Sequence, residues 1–594
     1  MYYKFLCVVW LLCLVASASS PAFAVEPDAP GALITRDEYF SIMIRWQLRQ
    51  LPQSDAGSEK SERDGLDLFY AVRKGRLLWV GDERPTGRAR QALSELARAD
   101  EWGLRAEDFA LASLHADARR GGTWKMRALV AFEIAMSRAV LKYARHARGG
   151  RIGLSQVTTM IDRKPPLLSP LTVLTGIEAS DNPAAYLRGL HPQHRQFHLL
   201  RAAYLEVLSR EQRGERRTAR YKKAGRVRKP RRTKRRSKNQ TPLSRRLLYN
   251  MEMWRWMPED LGASHVWANI PEYKVRVIAS GRVVHHERMI VGKVANMTPL
   301  FSDAMETVVF KPYWNVPNSI KVKELLPSLL RGGSALRRQG LRVAYGGREI
   351  RPGSVDWSRK DIRNFHIFQP PGRRNALGQV KFLFPNQHAV YMHDTPTKHL
   401  FRERRRAFSH GCMRVRNPLK FAEVLLKQDR GWNRARIEAL AASGPENNRV
   451  SLRNSIPVHV TYFTARVSPL GEVALYDDIY GHENRIQAGL DGKEITLPIT
   501  SDEQDLDSAR RQIIAGRGVS GSRAQRRPEV AWENRSALGA TNPEPLKPAP
   551  QVVRRSSRTP GWRKRVLFQG GDREPGRGPA RRPRLEGPHR PPHP

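Results

Sequence analysis

Cysteine is nearly missing from this sequence, with 3 in 594 residues. That scarcity excludes a disulfide scaffold. Acidic residues are also few: 57 Asp and Glu stand against 104 Lys and Arg, a formal net charge of +47. Beyond the first residues, no apolar run reaches the roughly 20 residues that a spanning helix needs, which excludes a polytopic membrane protein. There is no Gly-X-Y period, so a collagen-like chain is excluded too. What is present, 40% hydrophobic residues with 8% aromatics, suffices for sizeable cores in two or more soluble domains.

The first residues read as an address. Lys4 precedes an apolar stretch from Phe5 to Ala16, and small residues lead to Ala22-Phe23-Ala24. This pattern is expected to be a secretory signal peptide over 1–24, cut after Ala24, which sends the chain to the periplasm. An uncleaved anchor is the competing reading, though the apolar stretch is short for a span. Cys7 and Cys13 would leave with the signal, and Cys412 would be the one thiol kept. A bare thiol is an oxidation hazard outside the cytosol, so a nucleophile is expected there. An inert buried cysteine is the alternative. The polar and basic neighbours Ser409-His410-Gly411-Cys412-Met413-Arg414 argue against burial.

The excess charge is concentrated. Residues 213–238 hold 15 Lys and Arg against the single acid Glu215, and residues 508–594 hold 20 basic and 6 acidic residues. Both stretches are poor in aliphatic side chains, so 211–246 is expected to be a disordered basic linker and 508–594 a disordered basic tail. No nucleic-acid-binding motif accompanies the charge, and export leads away from the genome. An anionic envelope surface is the expected partner of these segments.

Two folded blocks remain. Residues 35–210 are expected to form a helical scaffold: Leu129, Phe132, Met136, Val140 and Tyr143 recur at steps of three and four before Gly149-Gly150, and Thr86 can cap a second helix. Residues 247–490 are expected to be mainly β, with hairpins at 274–291, 381–392 and 458–476, and a helix starting at Asn417-Pro418. The whole reads as a multidomain α+β protein.

The second block carries the chemistry. His393 ends the strand Val390-Tyr391-Met392 and precedes the turn Asp394-Thr395-Pro396, and Cys412 follows in Ser-His-Gly-Cys. A thiol needs a base to become a thiolate near neutral pH, and an imidazole within reach supplies one. Gly411 lets the backbone turn so that the amides of His410, Gly411 and Cys412 can face an oxyanion. Arg414 and Arg416 add a positive field that would lower the thiol pKa and could hold a substrate carboxylate. His388, His393, His399, His410 and Cys412 are also potential zinc ligands, but their spacing matches no usual zinc pattern. No metal or cofactor is expected, and packing or loop-orienting roles are expected for His388 and His399.

His393-Asp394-Thr395-Pro396 followed by Ser409-His410-Gly411-Cys412-Met413-Arg414 resembles the signature of the L,D-transpeptidase family (YkuD-type catalytic domain), the cysteine enzymes that cross-link peptidoglycan. Asn250-Met251-Glu252-Met253-Trp254-Arg255-Trp256-Met257-Pro258, Pro312-Tyr313-Trp314-Asn315-Val316-Pro317 and Pro457-Val458-His459-Val460-Thr461-Tyr462-Phe463 extend the likeness to the long, scaffold-bearing YcbB-like branch. The resemblance implies that Cys412 is the nucleophile and expels D-alanine from a tetrapeptide donor, forming a thioester. The diaminopimelate amine of a second stem would resolve it into a 3→3 cross-link. It implies His393 as general base, its tautomer fixed by a backbone carbonyl such as that of Asp394. His410 and Gly411 fall in the oxyanion turn. Ser409, Tyr391, Asp394 and Arg414 are expected to contact substrate. Residues 320–368 correspond to a capping insertion over the cleft. Departing from the branch, the small peptidoglycan-binding module that commonly lies between scaffold and catalytic domain is expected to be lost, with the basic linker filling its place. Hydrolysis by the same site, and transfer to an envelope protein or a free D-amino acid, stay open as alternatives.

Overall fold

The computed structural model describes residues 34–51, 57–81, 84–119, 125–223 and 241–494, which belong to one compact unit. The proposed signal, residues 224–240 of the basic linker and the basic tail lie outside the described residues. Among the described residues no helix is long and apolar enough to cross a membrane.

The first block is helical, built around the long helix Met126–Gly149. Its inward face buries Leu129, Phe132, Met136, Val140 and Tyr143 at the expected spacing. Thr86 caps Gly87–Ala97 by accepting from the Ala89 amide, a contact worth about 1 kcal/mol. One carboxylate sits wholly inside this core. Glu133 accepts from Tyr70 Oη at 2.7 Å and from the Leu78 and Trp79 amides at 2.6 and 2.8 Å. Burial pushes it up to about 7 even against those donors.

The helix expected to stop near Arg210 runs from Arg195 to Lys223. Arg, Lys, Glu and Ala are good helix formers, so a helix that is anchored upstream propagates into a stretch that could not bury itself alone. The next helix, Leu243–Arg255, likewise begins inside the expected linker. It joins the two blocks. Asn250 Oδ1 accepts from the Thr464 and Ala465 amides at 2.9 and 3.0 Å, while Glu252 receives the Ile152 amide and pairs with Arg255 at 3.2 Å, both side chains fully buried. These contacts give the Asn250–Arg255 stretch its physical reason: its polar side chains satisfy backbone groups of both blocks.

The second block is a sheet that closes on itself. The strands run in the order Val380–Leu383, Met392–His393, Met413–Val415, Arg282–Gly292, Lys274–Ala279, Ser264–Asn269, Asn448–Thr461, Leu300–Phe310, and the last pairs back to Val380–Leu383. The hairpin of 274–291 forms as expected, and that of 381–392 forms with shorter strands. The third expectation is corrected: Val458–Thr461 is a central strand, pairing with Ser264–Asn269 and Leu300–Phe310. The Gly471 turn instead joins Ala465–Val467 to Val473–Leu475. Near-continuous burial of 456–461 is the mark of a strand covered on both faces, which alternation does not reveal. Residues 314–369 add a separate sheet of four short strands with a helical run over 318–330.

Candidate active site

Cys412 enters the strand Met413–Val415, which lies parallel to Met392–His393 with Met392 opposite Met413 and His393 opposite Arg414. Side chains two apart along a strand share a face. His393, Arg414 and Cys412 therefore emerge together, with His393 the diagonal neighbour of Cys412, a relation that spans roughly 7–8 Å at the backbone. The Met413 amide donates to the Tyr391 carbonyl at 3.0 Å and locks this register.

The imidazole of His393 has one fixed side. Its Nδ1 faces the Asp394 carbonyl at 2.5 Å, and a carbonyl can only accept, so Nδ1 carries the hydrogen. Nε2 is buried, without a hydrogen-bond partner among the described residues, and as the acceptor nitrogen it is the atom able to take a proton. Burial, aided by the charges of Arg414, Lys398 and Lys381, lowers this histidine to about 3.

Cys412 is fully buried, contrary to the expectation drawn from its polar neighbours. Gly411 at φ +118° and the inward-facing Ser409 fold the turn so that the thiol points into the core and the polar atoms bond one another. The expected lowering of the thiol pKa is overturned as well. Burial pushes Cys412 up to about 12, and the bond near Tyr391 and the Arg414 charge only partly oppose it. Arg414 is itself fully buried and lowered to about 10 for the same reason. Burial thus favours the neutral form of both the thiol and the imidazole.

The turn is braced from behind. Ser409 Oγ donates to the Cys412 carbonyl at 2.6 Å and receives the Gly411 amide at 3.3 Å. The Gly411 carbonyl accepts from Thr298 Oγ1 at 2.7 Å, and Tyr480 Oη donates to the Gly292 carbonyl beside it at 2.7 Å. Thr298 and Tyr480 were not legible as site residues; isolated hydroxyls carry no signal until the chain folds. The Gly411 amide, turned onto Ser409, is not free for an oxyanion as expected.

A family model for the L,D-transpeptidase catalytic domain (YkuD) matches residues 263–438, and one for a scaffold domain matches 64–203. A protein of Haemophilus influenzae named "Putative L,D-transpeptidase" is 30% identical over 245 residues, 41% of this chain and 49% of that protein, so the match spans about half the relative's length. Residues 263–438 are an L,D-transpeptidase catalytic domain.

Within this L,D-transpeptidase domain the remaining expected residues are used in different ways. The Asp394 carboxylate receives Lys398 Nζ at 2.5 Å, the Thr395 amide at 2.7 Å and the Gln379 amide at 2.9 Å. Like Ser409, it shapes its own turn, where substrate contact was expected. Tyr391 is buried with its ring 5.8 Å from that of His393. Arg414 donates to Thr397 Oγ1 at 3.3 Å, while its Nε and Nη2 are buried without partners among the described residues. A buried guanidinium with two unmatched donors is suited to a carboxylate arriving from outside.

His410 reaches the insertion. Its Nε2 lies 2.6 Å from Glu324 Oε1, on the helical run of 318–330. Glu324 was missed by sequence reasoning, though a signal existed: it is the only carboxylate between Glu306 and Glu349. The other histidines stay apart from this group. His388 Nε2 lies 3.7 Å from Asp162 and its ring packs on Phe301, and His399 is exposed. Among the described residues no three His, Cys, Asp or Glu side chains gather as a metal cluster.

Proposed function

We propose that this chain is an exported peptidoglycan L,D-transpeptidase that forms 3→3 cross-links through a thioester on Cys412. The observation that carries the reading is the fixed tautomer of His393, whose Nε2 is left as a buried acceptor on the same sheet face as Cys412, the only free cysteine of the described residues. Cys412 Sγ attacks the carbonyl between the third and fourth stem residues as Nε2 takes the thiol proton. The peptide C–N bond then breaks, and the same proton passes to the departing D-alanine amine. In the second half, a diaminopimelate side-chain amine attacks the thioester, the C–N bond forms, the C–S bond breaks, and the amine proton returns through His393 to sulfur. The amides of His410 and Cys412 are the oxyanion donors in this scheme, and Arg414 meets a stem carboxylate.

Transfer in place of hydrolysis needs water kept from the thioester, since water competes with amine for it, and a site that closes again around the bound stems would do this. Localisation in the periplasm rests on the apolar leader, and attachment to an anionic envelope surface rests on the basic linker and tail. The test is mass spectrometry of products released from purified sacculi. A dimer mass with loss of D-alanine is the expected product. A tripeptide alone would establish hydrolysis, and an adduct on protein would establish a different acceptor.

A further inference from the structure

A cleft of about 800 Å³ opens beside the catalytic hairpin, where the L,D-transpeptidase reading assigns no role. Six cations line it: Arg288, Lys398, Arg402, Arg416, Lys420 and Arg434. Its one lining carboxylate, Asp394, already holds Lys398. Lys420 and Arg434 pair with Glu423 and Glu438 outside the cleft, at 2.8 and 2.6 Å. Arg288 and Arg402 form no ion pair among the described residues, Arg416 feels the Glu287 carboxylate that Asn417 holds behind the lining, and the Arg288 guanidinium is held in place by the Phe401 carbonyl at 3.1 Å. Like charges gathered around one hollow repel one another until an anion enters, so the cleft is built for negative charge.

The position of the cleft relative to the thiol narrows the ligand. Cys412 and Arg416 flank the short strand Met413–Val415, one at each end. Arg416 is bonded in place through its amide to the Arg288 carbonyl at 3.0 Å. Four residue-to-residue steps lead from Cys412 to Arg416, about 13 Å at roughly 3.3 Å per step of extended chain. An extended peptide of three or four residues covers that distance. Phe401 and Leu419, also in the lining, offer apolar surface to the carbon chains between its charged groups. The arrangement suits an extended peptide bearing several carboxylates, with an end that reaches the sulfur.

We propose that this basic cleft holds the carboxylates of the acceptor stem peptide and delivers its amine to the Cys412 thioester. The proposal rests on the transpeptidase reading, and its test separates the two. Arg288→Gln/Arg402→Gln is compared with wild type and with Arg282→Gln, an exposed arginine at the tip of a hairpin away from the cleft lining. Two rates are measured with soluble stem peptides: acylation of Cys412 by a carbapenem, and transfer from a tetrapeptide donor to a tripeptide acceptor. The acceptor KM is expected to rise about ten-fold or more in the double variant, with the carbapenem rate kept, since no acceptor takes part in that step. Arg402→Glu should raise it further, and Arg282→Gln should leave both rates unchanged. An unaltered acceptor KM in a double variant that still transfers would overturn the proposal. So would a parallel loss of acylation, which would give the cleft to the donor. Absence of transfer in the wild type, with hydrolysis intact, would instead sink the transpeptidase reading.

Discussion

His410 Nε2 and Glu324 Oε1 meet at 2.6 Å, which ties the cysteine turn to the insertion over 314–369. The contact joins the turn before Met413–Val415 to the helical run of 318–330, and Cys412, two residues after His410, has no exposed surface. Substrate cannot touch the sulfur in this arrangement, so the packing around it must change before chemistry, and loss of the His410–Glu324 contact is expected to favour that change. Glu324→Gln keeps the shape and removes the charge, a loss of about 1–2 kcal/mol for a partly buried charged contact. That corresponds to roughly a 5- to 30-fold larger open population. Alkylation of Cys412 by a bulky thiol reagent under native conditions should quicken accordingly. Equal labelling rates in variant and wild type would show that this contact does not hold the site shut.

Replacement of Cys412 has a sharp expected outcome. A carbapenem should add one acyl group to the protein, visible by intact mass, and Cys412→Ala should take up none. Cys412→Ser should be nearly inactive, because a hydroxyl beside this imidazole is far harder to deprotonate than a thiol. A labelled alanine variant would remove Cys412 from the mechanism.

The low pKa of His393, about 3, has consequences of defined sign. The imidazole is already neutral well below pH 6.5, so the pH profile of carbapenem acylation from about pH 5 to 8 should lack the usual histidine limb. A limb centred near 6.5 would contradict the buried, neutral state. Stability moves in one direction. The unfolded chain binds a proton near pH 6.5 that the fold refuses, so this contribution is fully present above about 6.5 and is lost as pH falls toward 3. His459 and His482, lowered to about 4 and about 3 by burial, act with the same sign. Each withdraws about 1.4 kcal/mol per pH unit in that window. Melting temperature should therefore drop on acidification, and His393→Gln should lessen the slope by one proton. His393→Ala should cost roughly 10²-fold or more in acylation, whereas exposed His399→Ala should behave as wild type.

The basic segments make a prediction about salt. Many weak contacts to an anionic wall are screened over about 8 Å at physiological ionic strength. Retention on sacculi should fall steeply as salt is added, with turnover of a soluble stem peptide little changed. Exchanging residues 224–238 for Gly and Ser should flatten that dependence. Retention that is indifferent to both would leave the segment as a spacer.

Local pattern was enough for much of this protein. The steps of three and four in Met126–Gly149, the capping Thr86 and the 274–291 hairpin are short-range features, and each formed where its residues called for it. Cys412 and His393 were marked as candidates by their residue types in polar turns near strand ends, and the parallel pairing of Met392–His393 with Met413–Val415 sets those two turns side by side. Even the carbonyl that fixes His393 comes from the next residue along the chain. What the sequence could not decide was the environment. Polar neighbours suggested an exposed, ionisable thiol, but burial is a property of everything packed around the turn, and it reversed the direction of the pKa shift. Glu324 reached His410, Thr298 reached Gly411, and arginines from four separate segments framed one cleft, all through contacts between residues far apart in the chain. Such juxtapositions leave no periodicity to read, because the chain between them is free to vary while only the closed sheet and its insertion bring them together.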